Sequence, residues 1–356
     1  VRTCADLDIP KTTLPDIPLV IQTEHLDIYS ERFVCAGTAV ELEKHAQFIA
    51  ETVGVELRNH IPLVFTEDSP ESCSGTPDGC TKPDGAAFGI PEAMRHELGH
   101  AVACQLHVYR GARTVEEGFA VMFDPAHRTN RSDNYVLEKA LESELGSYNY
   151  GGHFMRWLYE TEGGEAVGEF YRRHTTDTVV AVIEDMLGAP VEAIDEEFMA
   201  TSPYQYVPFH YCGMDLPHIE PDADGVWRFD SIFDCDDEST MGPYLWDSSS
   251  YTAEEVSTWM YQSFTVDIDE SNISLGYDVS DDIRFAWMWR CPEEHPNDPE
   301  PELNPWEGGI IEPISELGAK SVPLVYNGGR YRIDVIRKHG PAVATSLHFW
   351  KEPWPF

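Results

Sequence analysis

Arg95-His96-Glu97-Leu98-Gly99-His100-Ala101 is the stretch on which the chain is organised. It lies in an apolar, helix-forming run from Pro91 to about His107. An α-helix turns about 100° per residue, so His96 and His100 fall on one face. Two imidazoles so placed can bind one metal ion, and Glu97 beside them can act as general base on a metal-bound water. The motif is short, so the rest of the chain must supply the missing parts.

Around this run the chain reads as helix-rich. Pro-rich residues 1–16 precede two short strands between Pro18 and Tyr29, with a turn near Thr23–His25. Thr38 to Val53 is an amphipathic helix with Val40, Leu42, Ala46, Ile49 and Val53 on its apolar side, and Gly54 ends it. A strand follows from Ile61 to Thr66, then a Cys-, Gly- and Pro-rich loop over 67–89. After the motif, helices are expected over 114–123, 136–145, 153–161, 165–172, 178–187 and 191–200, with Gly151-Gly152 breaking the chain. From about Ser202 the pattern turns strand-like, over 227–230, 262–267, 272–279, 283–289, 331–337 and 346–350. A Pro- and acid-rich loop occupies 292–308. The expected organisation is two domains, 1–202 and 203–356, the second an all-β, antiparallel sandwich.

Composition narrows the functional classes. Of 356 residues, 63 are Asp or Glu and 24 Lys or Arg, a formal charge of −39. Such a surface repels nucleic acid and anionic membranes, and it favours cationic substrates or serves solubility alone. No apolar run is long enough to span a membrane. Eight cysteines are spread along the chain without a C-x-x-C pair, which points to four disulfides in an oxidising compartment. Cys73 and Cys80 are the one pair that spacing suggests. The opening Val1-Arg-Thr-Cys4 resembles a mature form after processing, so an extracellular location is expected. Asn130 and Asn272 head formal glycosylation acceptors. The acid-rich turns at 222–224, 234–238 and 281–282 are candidate calcium sites, although none has EF-hand spacing.

A catalytic zinc usually takes three protein ligands and keeps a position for water. A third histidine in H-E-x-x-H-x-x-G-x-x-H fails here, because Ala103 and Leu106 stand at the Gly and His positions and His107 is off by one. The other known solution is a glutamate on a following helix. Glu117, in Glu116-Glu117-Gly118-Phe119-Ala120, meets it, and the small Gly118 and Ala120 permit close helix approach.

Together, His96-Glu97-Leu98-Gly99-His100 and Glu117-Gly118-Phe119-Ala120 resemble the gluzincin metallopeptidases. Tyr148-Asn-Tyr150-Gly-Gly-His153-Phe154 is similar to a stretch that lines the cleft in many of them, and 186–198 is similar to the helix that often closes their domain. The likeness runs over residues 17–200 and is specific at 96–100 and 117–120. It implies an α+β zincin-like catalytic domain, a small mixed sheet plus helices, over 1–202. It also implies one Zn2+ on His96, His100 and Glu117, with Glu97 as general base and a peptide or protein as substrate. Tyr148 and Tyr150 are both candidates to donate to the oxyanion. His153 is a second candidate donor or a surface residue, and Glu116 orients a ligand histidine, is solvated, or is the alternative to Glu117 as third ligand. Residues 84–92 lack the amine-binding segment of the aminopeptidase branch, which favours an endopeptidase, and they are a candidate edge strand for substrate. Two other readings remain: a binding or adhesion protein with a degenerate peptidase domain, and a zinc hydrolase of non-peptide substrates.

Overall fold

Alternation of apolar residues predicts most of the strands found in the computed structural model of the chain. The structure describes residues 4, 11–57, 60–66, 73, 78–106, 111–125, 129–131, 136–142, 148–175, 178–210, 212–243, 258–269, 273–280, 282–291, 310–311, 324–325 and 328–352. His107, Asn272, Asp281 and the 292–308 stretch lie outside them. Among the described residues the protein is a mixed α/β structure with several small sheets and eight α-helices.

The first sheet contains β1 (Leu19–Gln22), β2 (Leu26–Ser30), β3 (Ile61–Phe65), β4 (Gly79–Thr81) and β5 (Ala87–Gly89). Its order is β1-β2-β3-β5-β4. The strands β2, β3 and β5 run parallel, and β1 and β4 are antiparallel edges. Residues 67–89, expected as loop, thus contain a hairpin. Its edge is β4, not the 84–92 segment, because β5 is paired on both sides.

Helix α1 (Ala36–Val53) buries Leu42, Ala46, Ile49 and Val53 on one stripe, and Gly54 ends it in the left-handed conformation at φ 67°. The motif run is a 3-10 turn over Pro91–Ala93 followed by α2 (Met94–Ala103), shorter than the expected span to His107. Then come α3 (Arg113–Phe123), strand β6 (Thr129–Asn130), α4 (Leu137–Leu141), α5 (Tyr148–Glu162), α6 (Gly164–Arg173), α7 (Val179–Leu187) and α8 (Val191–Thr201). They share one apolar core with the sheet, including Leu98, Phe119, Phe154, Phe170 and Phe198.

Gly151-Gly152 does not break the chain as expected, since α5 runs through it. The pair is instead a contact surface. A Cβ on Gly151 would fall 2.3 Å from the Thr114 carbonyl oxygen, and one on Gly118 would fall 2.5 Å from the Gly151 carbonyl carbon. Only glycine lets α3 and α5 cross so closely.

Strand β7 (Gln205–Tyr206) pairs with β6. Beyond it come β8 (Val226–Phe233), β9 (Trp259–Ile268), β10 (Ile273–Val279), β11 (Phe285–Arg290), β12 (Ile310–Ile311), β13 (Leu324–Val325), β14 (Gly329–Lys338) and β15 (Val343–Glu352). They form two antiparallel sheets, ordered β13-β10-β15-β8 and β12-β11-β14-β9. Every second residue faces a shared core: Trp227 and Phe229, Leu347 and Phe349 from one sheet, Tyr331, Ile333 and Val335 from the other. Phe229 stacks on Phe264 across it at 4.8 Å.

The far face of the second sheet is polar yet buried. Asp334 Oδ1 accepts from Ser263 Oγ at 2.6 Å and from Arg332 Nε at 2.6 Å. The charge of Arg332 reaches Glu41 on α1, and Glu41 accepts a hydrogen bond from Arg95, the residue before His96. Four disulfides, Cys4–Cys104, Cys35–Cys235, Cys73–Cys80 and Cys212–Cys291, use all eight cysteines. Cys4–Cys104 ties the N-terminal segment to the end of α2, and Cys35–Cys235 ties the start of α1 to the chain after β8. No helix among the described residues is long and apolar enough to cross a membrane.

Candidate metal centre

Helices α2 and α3 bring the motif and Glu117 together through small residues. A Cβ on Gly99 would lie 3.1 Å from Ala120 Cα, so the two backbones are nearly in contact there. Ala120 therefore meets α2 as its size suggests, whereas Gly118 serves the crossing with α5.

Three ligand atoms converge. His96 Nε2 lies 3.3 Å from Glu117 Oε2, His100 Nε2 lies 3.2 Å from the same oxygen, and the two Nε2 atoms are 3.2 Å apart. Tetrahedral ligands on bonds of about 2.0–2.1 Å sit about 3.3–3.4 Å from one another, so the triangle has the size a zinc ion requires. Glu117 and His100 also shift each other's protonation. Burial raises the Glu117 carboxyl, but hydrogen bonds and charge from His100 and His96 outweigh it and hold the group far below the carboxylate range. Burial lowers His100, and Glu117 overrides that to raise it. His96, His100 and Glu117 are thus a group of side chains that could hold a metal ion.

His96 Nδ1 lies 4.0 Å from Asp124 Oδ2, and Asp124 is buried at the end of α3. That carboxylate stands on the Nδ1 side of the ring, away from Nε2. Sequence reasoning missed Asp124, but its position seven residues after Glu117, two helical turns on, was a usable signal. Asp124→Ala is expected to weaken zinc affinity by about 10–100-fold with the fold retained. Competition against a chelator of known affinity measures this, and unchanged affinity would remove Asp124 from the site.

Glu97 is buried beside the triad and is not one of its three atoms. Its Oε2 accepts from Thr81 Oγ1 at 2.9 Å, and the same hydroxyl is 2.9 Å from the Glu97 carbonyl oxygen. Thr81 belongs to edge strand β4, so that edge runs past the base. The spacing of the motif gave no hint of Thr81.

The tyrosines separate. The Tyr148 ring stacks along His96 with centroids 6.1 Å apart, and its hydroxyl accepts from Arg113 Nη2 at 3.2 Å. Burial and the Glu117 carboxylate raise the Tyr148 hydroxyl, so it keeps its proton. Tyr150 is buried against Phe198, where burial and Asp195 push its hydroxyl up. The structure thus brings Tyr148, and not Tyr150, to the triad. His153 is neither a site residue nor a surface one. It is fully buried, with Nδ1 3.1 Å from the Thr129 carbonyl and Nε2 3.0 Å from the Pro203 carbonyl, and burial lowers its pKa to about 4. Glu116 Oε1 accepts from the Gly111 amide at 2.5 Å and so holds the approach to α3.

The acid-rich turns direct their carboxylates elsewhere. Asp222 accepts from the Asp224 and Val226 amides at 2.9 and 3.0 Å and pairs with Arg228 at 2.7 Å. Asp234 and Asp237 accept from the Asp236 and Ser239 amides at 3.1 and 2.8 Å. These are local turn bonds, and the described carboxylates do not converge as a calcium site would need. A second cluster, Glu24, His25 and Glu43, is a turn clamp: Glu43 accepts from Thr23 Oγ1 at 2.6 Å, from the His25 amide at 3.2 Å and from Gln47 at 2.9 Å.

The chain matches no protein-family model, no curated protein and no solved structure.

Proposed function

We propose that this protein is a zinc-dependent metallopeptidase of gluzincin type, working outside the cell and cutting within peptide chains. The observation that carries the reading is the triangle of His96 Nε2, His100 Nε2 and Glu117 Oε2, each edge 3.2 or 3.3 Å, with the Glu97 carboxylate beside it. The four disulfides support the extracellular assignment.

His96, His100 and Glu117 hold the ion, and Asp124 orients His96. Zinc, when bound, supplies a Lewis acid for the scissile carbonyl and brings the pKa of a water towards about 7. Glu97, fixed by Thr81, takes a proton from the attacking water and passes it to the leaving amine. The Tyr148 hydroxyl accepts from Arg113 and donates to Glu117 at rest; turned from Glu117, its proton serves the developing oxyanion, a contact of the kind worth roughly 3 kcal/mol.

Metal analysis with a peptide-library cleavage assay tests this. The expected result is one zinc per chain, internal cleavage of peptides, loss of cleavage with chelator and recovery with zinc. A zinc-loaded protein that cleaves no peptide would reject the peptidase reading and turn attention to non-peptide esters and amides. A chain that takes up no zinc would favour the binding-protein reading.

A further inference from the structure

Arg113 is the first residue of α3 and stands one turn before Glu117. Its Nε lies 3.5 Å from Glu117 Oε1, the oxygen that does not face the histidines, and its Nη2 donates to Tyr148 at 3.2 Å. These contacts place a guanidinium at the rim of the metal triad. They do not use it up. The side chain is 46% exposed, and Nη1 has no partner among the described residues. An exposed ion pair this long contributes almost nothing to stability. Its position at the site is therefore not explained by what it does for the fold.

A guanidinium presents a planar fork of donors that matches a carboxylate with two parallel hydrogen bonds. Arg113 uses Nε and one Nη2 hydrogen, so its fork keeps donors to spare. We infer that Arg113 forms a carboxylate-binding subsite beside the metal site, and that preferred substrates carry a carboxylate next to the bond that is cut. This deepens the peptidase reading above and rests on it. It also reverses, locally, the cationic preference that a charge of −39 suggests. Screening decides between the two. At physiological salt the Debye length is about 8 Å, so a bound peptide feels a contacting guanidinium far more than carboxylates spread over the surface.

Two sources can supply the carboxylate, an Asp or Glu side chain or the α-carboxylate of a chain end. The test scans Glu against Gln through a neutral peptide blocked at both ends, and runs a neutral peptide with a free C-terminus as a second arm. The expected result is a kcat/KM ratio of about 10–100 in favour of the carboxylate at one position or in the free-end arm, the size of one charge-assisted contact. Arg113→Gln brings that ratio to near one, and Arg113→Lys keeps part of it. Binding of the same peptides to zinc-loaded Glu97→Gln protein, by calorimetry, reads the subsite without turnover. A carboxylate preference in Kd that Arg113→Gln abolishes supports the subsite even if no peptide is cleaved, and then only the peptidase reading fails. Equal Kd and kcat/KM for the Glu, Gln and free-end peptides, or a preference that survives Arg113→Gln, overturns the inference.

Discussion

Glu97→Gln leaves a protein that holds a full equivalent of zinc and cleaves peptides about 10² to 10⁴ times more slowly. The retention of metal follows from geometry. The triad atoms belong to His96, His100 and Glu117, and Glu97 is not among them. Gln keeps the length of the side chain, and its amide oxygen can still accept from the Thr81 hydroxyl that now bonds Glu97 Oε2 at 2.9 Å. What is lost is a group able to take a proton from water and return it to an amine. The measurement is zinc stoichiometry alongside kcat on a cleaved peptide. Wild-type turnover would end the general-base assignment, and loss of zinc would show that Glu97 supports the ligands instead.

Asp334→Leu lowers the free energy of unfolding by about 3–5 kcal/mol. Arg332 and Asp334 have side chains only 3% and 1% exposed, and their pair lies on the sheet face turned towards α1 and α2. Removal of the carboxylate leaves two buried cations, Arg332 and Arg95, facing the Glu41 carboxylate. The double variant Arg332→Met/Asp334→Leu removes both charges and recovers more than half of the loss, because an apolar pair of similar volume needs no counter-ion. Urea unfolding with the disulfides intact compares the two. A single variant within about 1 kcal/mol of wild type, or a double variant less stable than the single one, contradicts this account of the cluster. Arg95 adjoins His96, so the same cluster also ties the second sheet to the helix that carries two of the three ligand atoms.

The sequence alone determined what depends on short-range periodicity. The spacing of His96 and His100 forces both rings onto one helix face, whatever surrounds the helix. Alternation along 227–230, 331–337 and 346–350 placed three strands whose every second residue faces a core, although the first runs on to Phe233. Glu117 was singled out by its place before Gly-Phe-Ala, as the gluzincin resemblance implies; the close approach that the small residues permit is seen where Gly99 meets Ala120. Tertiary structure decided the rest. Thr81, Asp124 and Arg113 come from different elements or other turns, and the His-Glu-x-x-His spacing does not include them. The pairings of Cys4, Cys35 and Cys212 span separations of 100, 200 and 79 residues, which only the folded chain can fix. Tyr148 and Tyr150 show the reason most plainly. Read as loop before a Gly-Gly break, the two are equivalent. Once the packing of Gly118 on Gly151 carries α5 back to Tyr148, they stand about 200° apart around one helix, so when Tyr148 lies along His96, Tyr150 must face the core.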